Sequence, residues 1–525
     1  MERVDEAPPT GVSPGYLAPD VVWHGLDEDT LRRIVNDDEE VAGLFASSLH
    51  DFFFDEDQVE GAAVVGSAVG DSIRLRKLEI QGFYRWDEDE FLPGTDQRNI
   101  DFLPALAHNR LLEQWNSDFL PGLARNRSIE HLAMVEGDFL PNSFDIISPF
   151  FMHNHNLRCI EIHCCDLSEN FPSFLLSLST CATNQLERIH LYDNDLGGIQ
   201  VTRIIKALTE HRNLREIYLC GNEISRSGFM ALSRLLQHPH SKIHRLEIGD
   251  KLFRRGGIND VCITILTGAM VVNKTIKILH VSAHNVTATG WRVFSGVLCS
   301  PICSLETLSL KHSDLDDEGI TAIGDALIKN KTLKCLNLPS TDMITINGWR
   351  SFARVLQSGS KVKTLEVGGA NFNEEVVTDF ATALVNNSSL SKLRIEGREY
   401  TDSIWGAFSR VLDVSCVRST YLSNHTLHTL EIGDRWHNSP LMVVPEDLAR
   451  VLQMNTNENE DKVALARQRI FAYHFSGDNM DIQEFSAMAV PILPHAIEWI
   501  GRDLDGFPLM YHVMRGIPAL FDRNT

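Results

Sequence analysis

Apolar residues return along this chain in a fixed figure: one apolar, two free, one apolar, one free, one apolar. In Leu157 to Leu167 it reads L-R-C-I-E-I-H-C-C-D-L. Copies begin at Ile129, Leu157, Leu186, Leu214, Ile243, Ile276, Leu305, Leu333, Val362, Leu390 and Leu427, in steps of 28, 29, 28, 29, 33, 29, 28, 29, 28 and 37. A recurrence of roughly 20 to 50 residues marks stacked supersecondary units, so the pattern predicts a solenoid.

Within each copy the hydrophobic period changes. In Leu214 to Ile224, Leu214, Ile217 and Leu219 point one way while Glu216 and Tyr218 point the other, which is a short strand with one buried face. Val201, Ile204, Ile205 and Leu208 recur at i, i+3, i+4 and i+7, the stripe of an amphipathic helix. One strand and one helix per copy predict an α/β solenoid, with a parallel sheet inside a horseshoe and helices outside.

The turn after the strand has its own signature. Counting the first apolar residue as position 1, position 11 is Leu167, Leu196, Ile224, Phe253, Val286, Leu315, Met343 and Phe372, all apolar. Position 9 is Cys165, Asn194, Asn222, Lys251, His284, Ser313, Thr341 and Ala370. Only some of these side chains can bond buried turn backbone, so the polar ladder is expected to be broken, with bulges at Lys251 and His284.

The L-x-x-L-x-L-x-x-N/C-x-L core with 28- and 29-residue copies resembles the ribonuclease-inhibitor-like class of leucine-rich repeats over about residues 120–435. Two unlike units alternate, as in that class. Gly290-Trp291 and Gly348-Trp349 open helices 58 residues apart and Trp405 follows; between them come Ala326-Leu327 with Asn330, and Ala383-Leu384 with Asn387. The chain also resembles a large family of such repeat proteins in diatoms, which end in a segment like Ile497 to Phe521 and whose role is mostly unassigned. The repeat class implies an extended surface that binds a protein partner without catalysis. Ran GTPase-activating proteins are built from the same class, so GTPase regulation is the second reading, although their acidic tail is C-terminal. A ubiquitin-ligase substrate adaptor is the third; it needs an F-box-like module, and residues 21–60 are short and acidic for one.

Charge narrows the partners. The net charge is −23, and residues 1–60 hold sixteen Asp or Glu against three Arg, which is −13 and leaves −10 for the rest. Nucleic acid and anionic membrane call for basic surface, so neither is expected, and a basic protein patch is the natural counterpart. No apolar run approaches a membrane span. The start Met1 to Asp20 has no apolar core of a secretory signal, and the ten cysteines show no disulfide-framework spacing. A reducing compartment follows, cytoplasmic or nuclear, with no secretion.

Four segments are expected: a disordered leader at 1–20, an acidic N-terminal cap at 21–128, the repeat solenoid at 129–435 and a helical C-terminal cap at 436–525. The N-terminal cap has degenerate strands at Val41 to Ala46 and Leu75 to Ile80 and a helical insertion at about 83–117. Asp/Glu-Phe-Leu-Pro recurs at Glu90–Pro93, Asp101–Pro104, Asp118–Pro121 and Asp138–Pro141, a helix-start device.

Candidate chemistry is sparse. Phosphate-cradling, zinc-protease and dinucleotide motifs are absent, so no catalytic residue and no cofactor are assigned. Asp314 to Gly319 begins like a calcium loop, but position twelve is Asp325 instead of Glu, so helix capping is expected. Cys159, His163 and Cys164 fit no zinc spacing, and no metal site is assigned. His238, His240 and His244 surround a turn and read as solvated. The sequons at Asn126, Asn273, Asn285, Asn330, Asn386, Asn387 and Asn424 mostly coincide with the repeat's own N-x-T/S-L turn.

What remains is the strand face opposite the core. Parallel strands lie about 4.8 Å apart, so positions 3, 5 and 7 form one patch. In the first half it comprises Glu161, His163, Arg188, His190, Tyr192, Glu216, Tyr218, Arg245 and Glu247, beside Cys159, Ile278 and His280. Tyr and Arg are enriched at interface hot spots, which makes these nine residues the candidate partner-binding site. Ser309, Asn337 with Pro339, and Glu366 with Gly368 predict a smaller, flatter surface later on.

Overall fold

The computed structural model describes residues 43–46, 67, 69–72, 75–81, 115–135, 139–181, 185–249, 257–357, 359–397, 400–433, 441–456 and 462–475. The chain divides into two compact units, Met1–Lys251 and Leu252–Thr525. The repeat predicts an α/β solenoid, and each unit is built as one.

In the first unit, strands β1 (Gly43–Ala46), β2 (Lys77–Gln81), β3 (His131–Val135), β4 (Cys159–His163), β5 (Arg188–Tyr192), β6 (Glu216–Tyr218) and β7 (Arg245–Gly249) pair in chain order. In the second, β8 (Ile278–Ser282), β9 (Thr307–Ser309), β10 (Cys335–Asn337), β11 (Thr364–Gly368), β12 (Lys392–Glu396) and β13 (Thr429–Ile432) do the same. Every pair is parallel, because the helix between two strands carries the chain back to its starting edge. The register keeps each repeat position opposite itself: Glu161 faces His190, which faces Tyr218, which faces Glu247.

Local sequence explains the two layers. Ile189 and Leu191 on β5 are fully buried, as are Val201, Ile204, Ile205 and Leu208 of the following helical stretch, so the two hydrophobic periods meet in one core. Burying such side chains contributes about 1.5–3 kcal/mol each. Between strand and helix, position 8 takes a left-handed backbone at Cys164, Asp193, Gly221 and His312, with φ of 53°, 52°, 77° and 57°. Gly221 announces the bend by its composition, as does Gly369 at the same position with φ of 126°, and a Cβ on Gly221 would crowd the Asp193 backbone. At position 9, Asn194 accepts from Cys165 N at 2.9 Å and donates to Ile162 O at 2.7 Å, and Ser313 bridges Ala283 N and Val281 O. The ladder therefore runs where Asn or Ser is present; Lys251 lies outside the described residues, and His284 Nδ1 lies 3.5 Å from Asp314.

A second amide closes several of the repeats before their strands. Asn330 Oδ1 accepts from Thr332 N and Leu333 N at 3.0 and 2.7 Å, while its Nδ2 donates to Leu298 O of the preceding repeat at 2.8 Å. Asn387 and Asn424 make the same three kinds of bond, and all three residues are buried. The repeat turn thus accounts for these sequons physically.

The alternation of two unlike repeats also has a cause. Asp260, Asp317 and Glu374 each open a helix and accept both the N–H and the hydroxyl of a threonine in the next repeat, Thr287, Thr345 and Thr401. Gly290 and Gly348 let the two aspartates approach, since a Cβ on either would collide with the carboxylate. Trp291 and Trp349 follow those glycines into the core, where both are fully buried. Asp316 caps its helix through Gly319 N at 2.8 Å, so the calcium-like run is spent on helix starts.

At the N-terminal side, Pro121 sits in the first turn of helix Leu120–Arg125. The helix Ser143–His153 begins after Asn142, two residues beyond the last Asp-Phe-Leu-Pro copy, so that copy does not open it. The first two copies, nearly all of the insertion and the segment Ile497 to Phe521 lie outside the described residues. After β13, helices Glu446–Met454 and Lys462–Ile470 follow. Arg469 of the latter is fully buried and donates to Ser423 Oγ and Asn424 O at 2.8 Å each, and to Asn455 Oδ1. Burial lowers its pKa to about 10. Among the described residues no helix is long and apolar enough to cross a membrane.

Candidate functional site

The face of the first sheet away from the helices gathers the residues picked out by repeat position. Glu161 stands near its centre. Its Oε1 lies 3.2 Å from His190 Nδ1, and its Oε2 lies 3.9 Å from His163 Nε2. Two further groups complete the surroundings: His131 Nε2 at 3.1 Å and Cys159 Sγ at 3.4 Å, both from Oε1. Burial pushes the Glu161 carboxyl up, but the His131, His190 and His163 imidazoles outweigh it and hold the pKa at about 2. His190 moves down to about 4, chiefly because burial penalises its charged form. Burial and the Glu161 charge push the Cys159 thiol well up.

The neighbouring strands extend this network. Tyr218 packs its ring 3.7 Å from the His190 ring and donates from its hydroxyl to Glu216 Oε2 at 2.9 Å. Arg245 lies over the Tyr218 ring at 5.0 Å and donates from Nε and Nη2 to Glu247 Oε1 at 2.8 and 2.6 Å. Burial raises the Tyr218 pKa, and the Glu216 bond adds to that rise. Arg188 pairs in register between Cys159 and Glu216. Tyr192, with its ring 6.2 Å from that of His163, is 43% exposed, the large aromatic this face offers to solvent.

All nine residues chosen from sequence therefore share one face. His131 was missed because the reading of the face began one strand late, at Leu157; the copy starting at Ile129 places His131 at position 3. The second face departs further from expectation. Ser309 and Asn337 are small, but β11 to β13 carry a dense charge network. Lys311 Nζ lies 2.7 Å from Glu366 Oε1, and Arg394 lies 3.4 Å from both Glu366 and Glu396. Arg394 also lies 3.9 Å from Glu431, which Lys392 approaches to 3.0 Å. Gly368 leaves room for Glu396, whose backbone and Cβ would meet any Cβ added there. Burial and the adjacent Glu366 push Glu396 up to about 7. Glu366 moves down despite burial, held by the bond from Glu396 and the charges of Lys311 and Arg394. Positions 5 and 7 of the last repeats were the signal available for this cluster.

No family model matches the chain. Among curated proteins, NACHT, LRR and PYD domains-containing protein 14 of Mus musculus is 25% identical over 257 residues, covering 49% of this chain and 25% of that protein. Its Homo sapiens counterpart is 26% identical over 262 residues, covering 49% and 23%. Ribonuclease inhibitor of Sus scrofa is 25% identical over 239 residues, covering 45% and 49%. The chain thus spans about a quarter of the two former relatives and about half of the latter. A solved chain described as the Rad7 and Elc1 complex in yeast overlaps with a TM-score of 0.34 at 15% identity, covering 53% of this chain and 73% of that one, too loose a superposition to carry an argument. With its repeat pattern and fold, the chain is a leucine-rich-repeat protein.

Proposed function

We propose that this leucine-rich-repeat protein is a non-enzymatic interaction scaffold that grips a protein partner on the helix-free face of β4 to β7. One observation carries the reading: an exposed Tyr192 rises from a face whose other polar side chains already hold one another in place. Immobilising a rotamer-rich side chain on binding costs about 0.5–1.5 kcal/mol, and Tyr218, Glu216, Arg245 and Glu247 have met that cost in the free chain. Ribonuclease inhibitor is named for action on another protein, which supports a protein as the class of partner. The face itself mixes charges, so attraction to a basic partner rests on the acidic residues 1–60.

The test uses the full chain. Proteins retained by the wild type are identified by mass spectrometry, and affinities are then measured for Tyr192→Ala and Tyr218→Ala. Each substitution is expected to weaken binding by about 2 kcal/mol, roughly 30-fold, with an unchanged circular dichroism spectrum. Unchanged affinity in both variants sinks the assignment of this face.

A further inference from the structure

We propose that Glu161, His163 and His190 form a binding site for one divalent ion of the zinc class on this same sheet face. The geometry comes from the parallel register. Glu161 and His163 are two apart on β4 and so project to one side, and His190 is the register partner of Glu161 on β5. The three donor atoms lie within 4.8 Å of one another. Donors around a tetrahedral zinc ion sit about 2.0–2.2 Å from the metal and hence roughly 3.3 Å apart. The 3.2 Å between Glu161 Oε1 and His190 Nδ1 already matches that spacing. The other carboxylate oxygen, Oε2, lies 3.9 Å from Nε2 of the partly exposed His163 ring.

Donor chemistry selects the ion. Two imidazoles and one carboxylate suit zinc, copper, nickel or ferrous iron, whereas magnesium and calcium favour oxygen donors. Outer groups hold the three ligands in place, as supporting shells around metal ligands do. His131 Nε2 lies 3.1 Å from Glu161 Oε1, and the Tyr218 ring packs on His190. Cys159, His131 and Glu161 make a second set of close donors, but there the buried thiol is engaged as a hydrogen-bond donor to Glu161 Oε1 at 3.4 Å. One ion on the His163 side is therefore the assignment. Three protein ligands leave a further coordination position, which a water or a partner's side chain can take.

Metal uptake is measured on the chain alone, so its failure is distinguishable from failure of the scaffold reading. Full-length protein stripped with a chelator is titrated with zinc by calorimetry and with cobalt by visible absorption. One equivalent is expected to bind, with the absorption of a tetrahedral cobalt centre. His163→Ala and His190→Ala each lower affinity at least tenfold, and His131→Ala lowers it on the order of tenfold through orientation. His163, on the partly exposed edge, is the substitution that spares the fold, checked by circular dichroism. Absence of stoichiometric uptake, or wild-type affinity in His163→Ala and His190→Ala, overturns the site. So does loss of uptake in His238→Ala/His240→Ala, an exposed pair with rings 5.7 Å apart.

Discussion

Glu161 in the first unit and Glu366 in the second occupy the same repeat position on a helix-free sheet face, yet they are neutralised differently. Glu161 is met by the imidazoles of His131, His163 and His190. Glu366 is met by the side chains of Lys311 and Arg394, and it shares a proton with Glu396. On the proposal above, the first face can change its balance through a bound ion. The second has its counter-charges built in, and among the described residues it presents no aromatic comparable with Tyr192.

Removing a built-in counter-charge is the harshest way to probe this contrast. Arg394→Ala strips the guanidinium from Glu366, Glu396 and Glu431 together and is expected to cost about 3 kcal/mol in urea unfolding. Arg245→Ala, which removes the guanidinium from Glu247 and from the Tyr218 ring, is expected to cost about 1–2 kcal/mol. Equal losses would erase the distinction.

Acidity separates the units next. His190 has its pKa lowered from 6.5 to about 4, so the unfolded chain binds more protons between those values, and this group's contribution to stability rises with pH there. Glu396 has its pKa raised from 4.5 to about 7, so the folded chain holds the extra proton, and its contribution falls as pH rises through that window. With a chelator present, His190→Gln should flatten the rise and Glu396→Gln should remove the fall. Unfolding curves collected across pH 4.5 to 6.5 check both signs, and a shared sign breaks the comparison. The mildest probe is Tyr218→Phe, which removes the 2.9 Å bond to Glu216 and should cost about 1 kcal/mol in the same assay.

The architecture was legible because its signal is local: Leu214, Ile217 and Leu219 declare a strand face, and Val201 to Leu208 declare a helix stripe. Repeat position then placed Glu161, His190, Tyr218 and Glu247 side by side, since the register keeps each position opposite itself. Energetic partnerships were harder to see. Lys311 reaches Glu366 across 55 residues, over the small Asn337 strand between them, and spacing alone does not say which of two neighbouring carboxylates an ammonium will choose. The left-handed turn at Cys164, Asp193 and His312 was likewise hidden, because Cys gives no such signal and Asp and His take a positive φ far less readily than the glycine at Gly221.

The latch between Asp260 and Thr287, repeated by Asp317 with Thr345 and Glu374 with Thr401, fixes how such a chain can grow. Asp260, Asp317 and Glu374 stand 57 residues apart, so each latch spans one repeat boundary and skips the next. Gain or loss of a single repeat would set an acid against a helix start without its threonine, and a glycine against nothing. Gain or loss of two would restore every latch. The increment by which this array lengthens or shortens without penalty is the pair of repeats, and its ancestry should be counted in pairs.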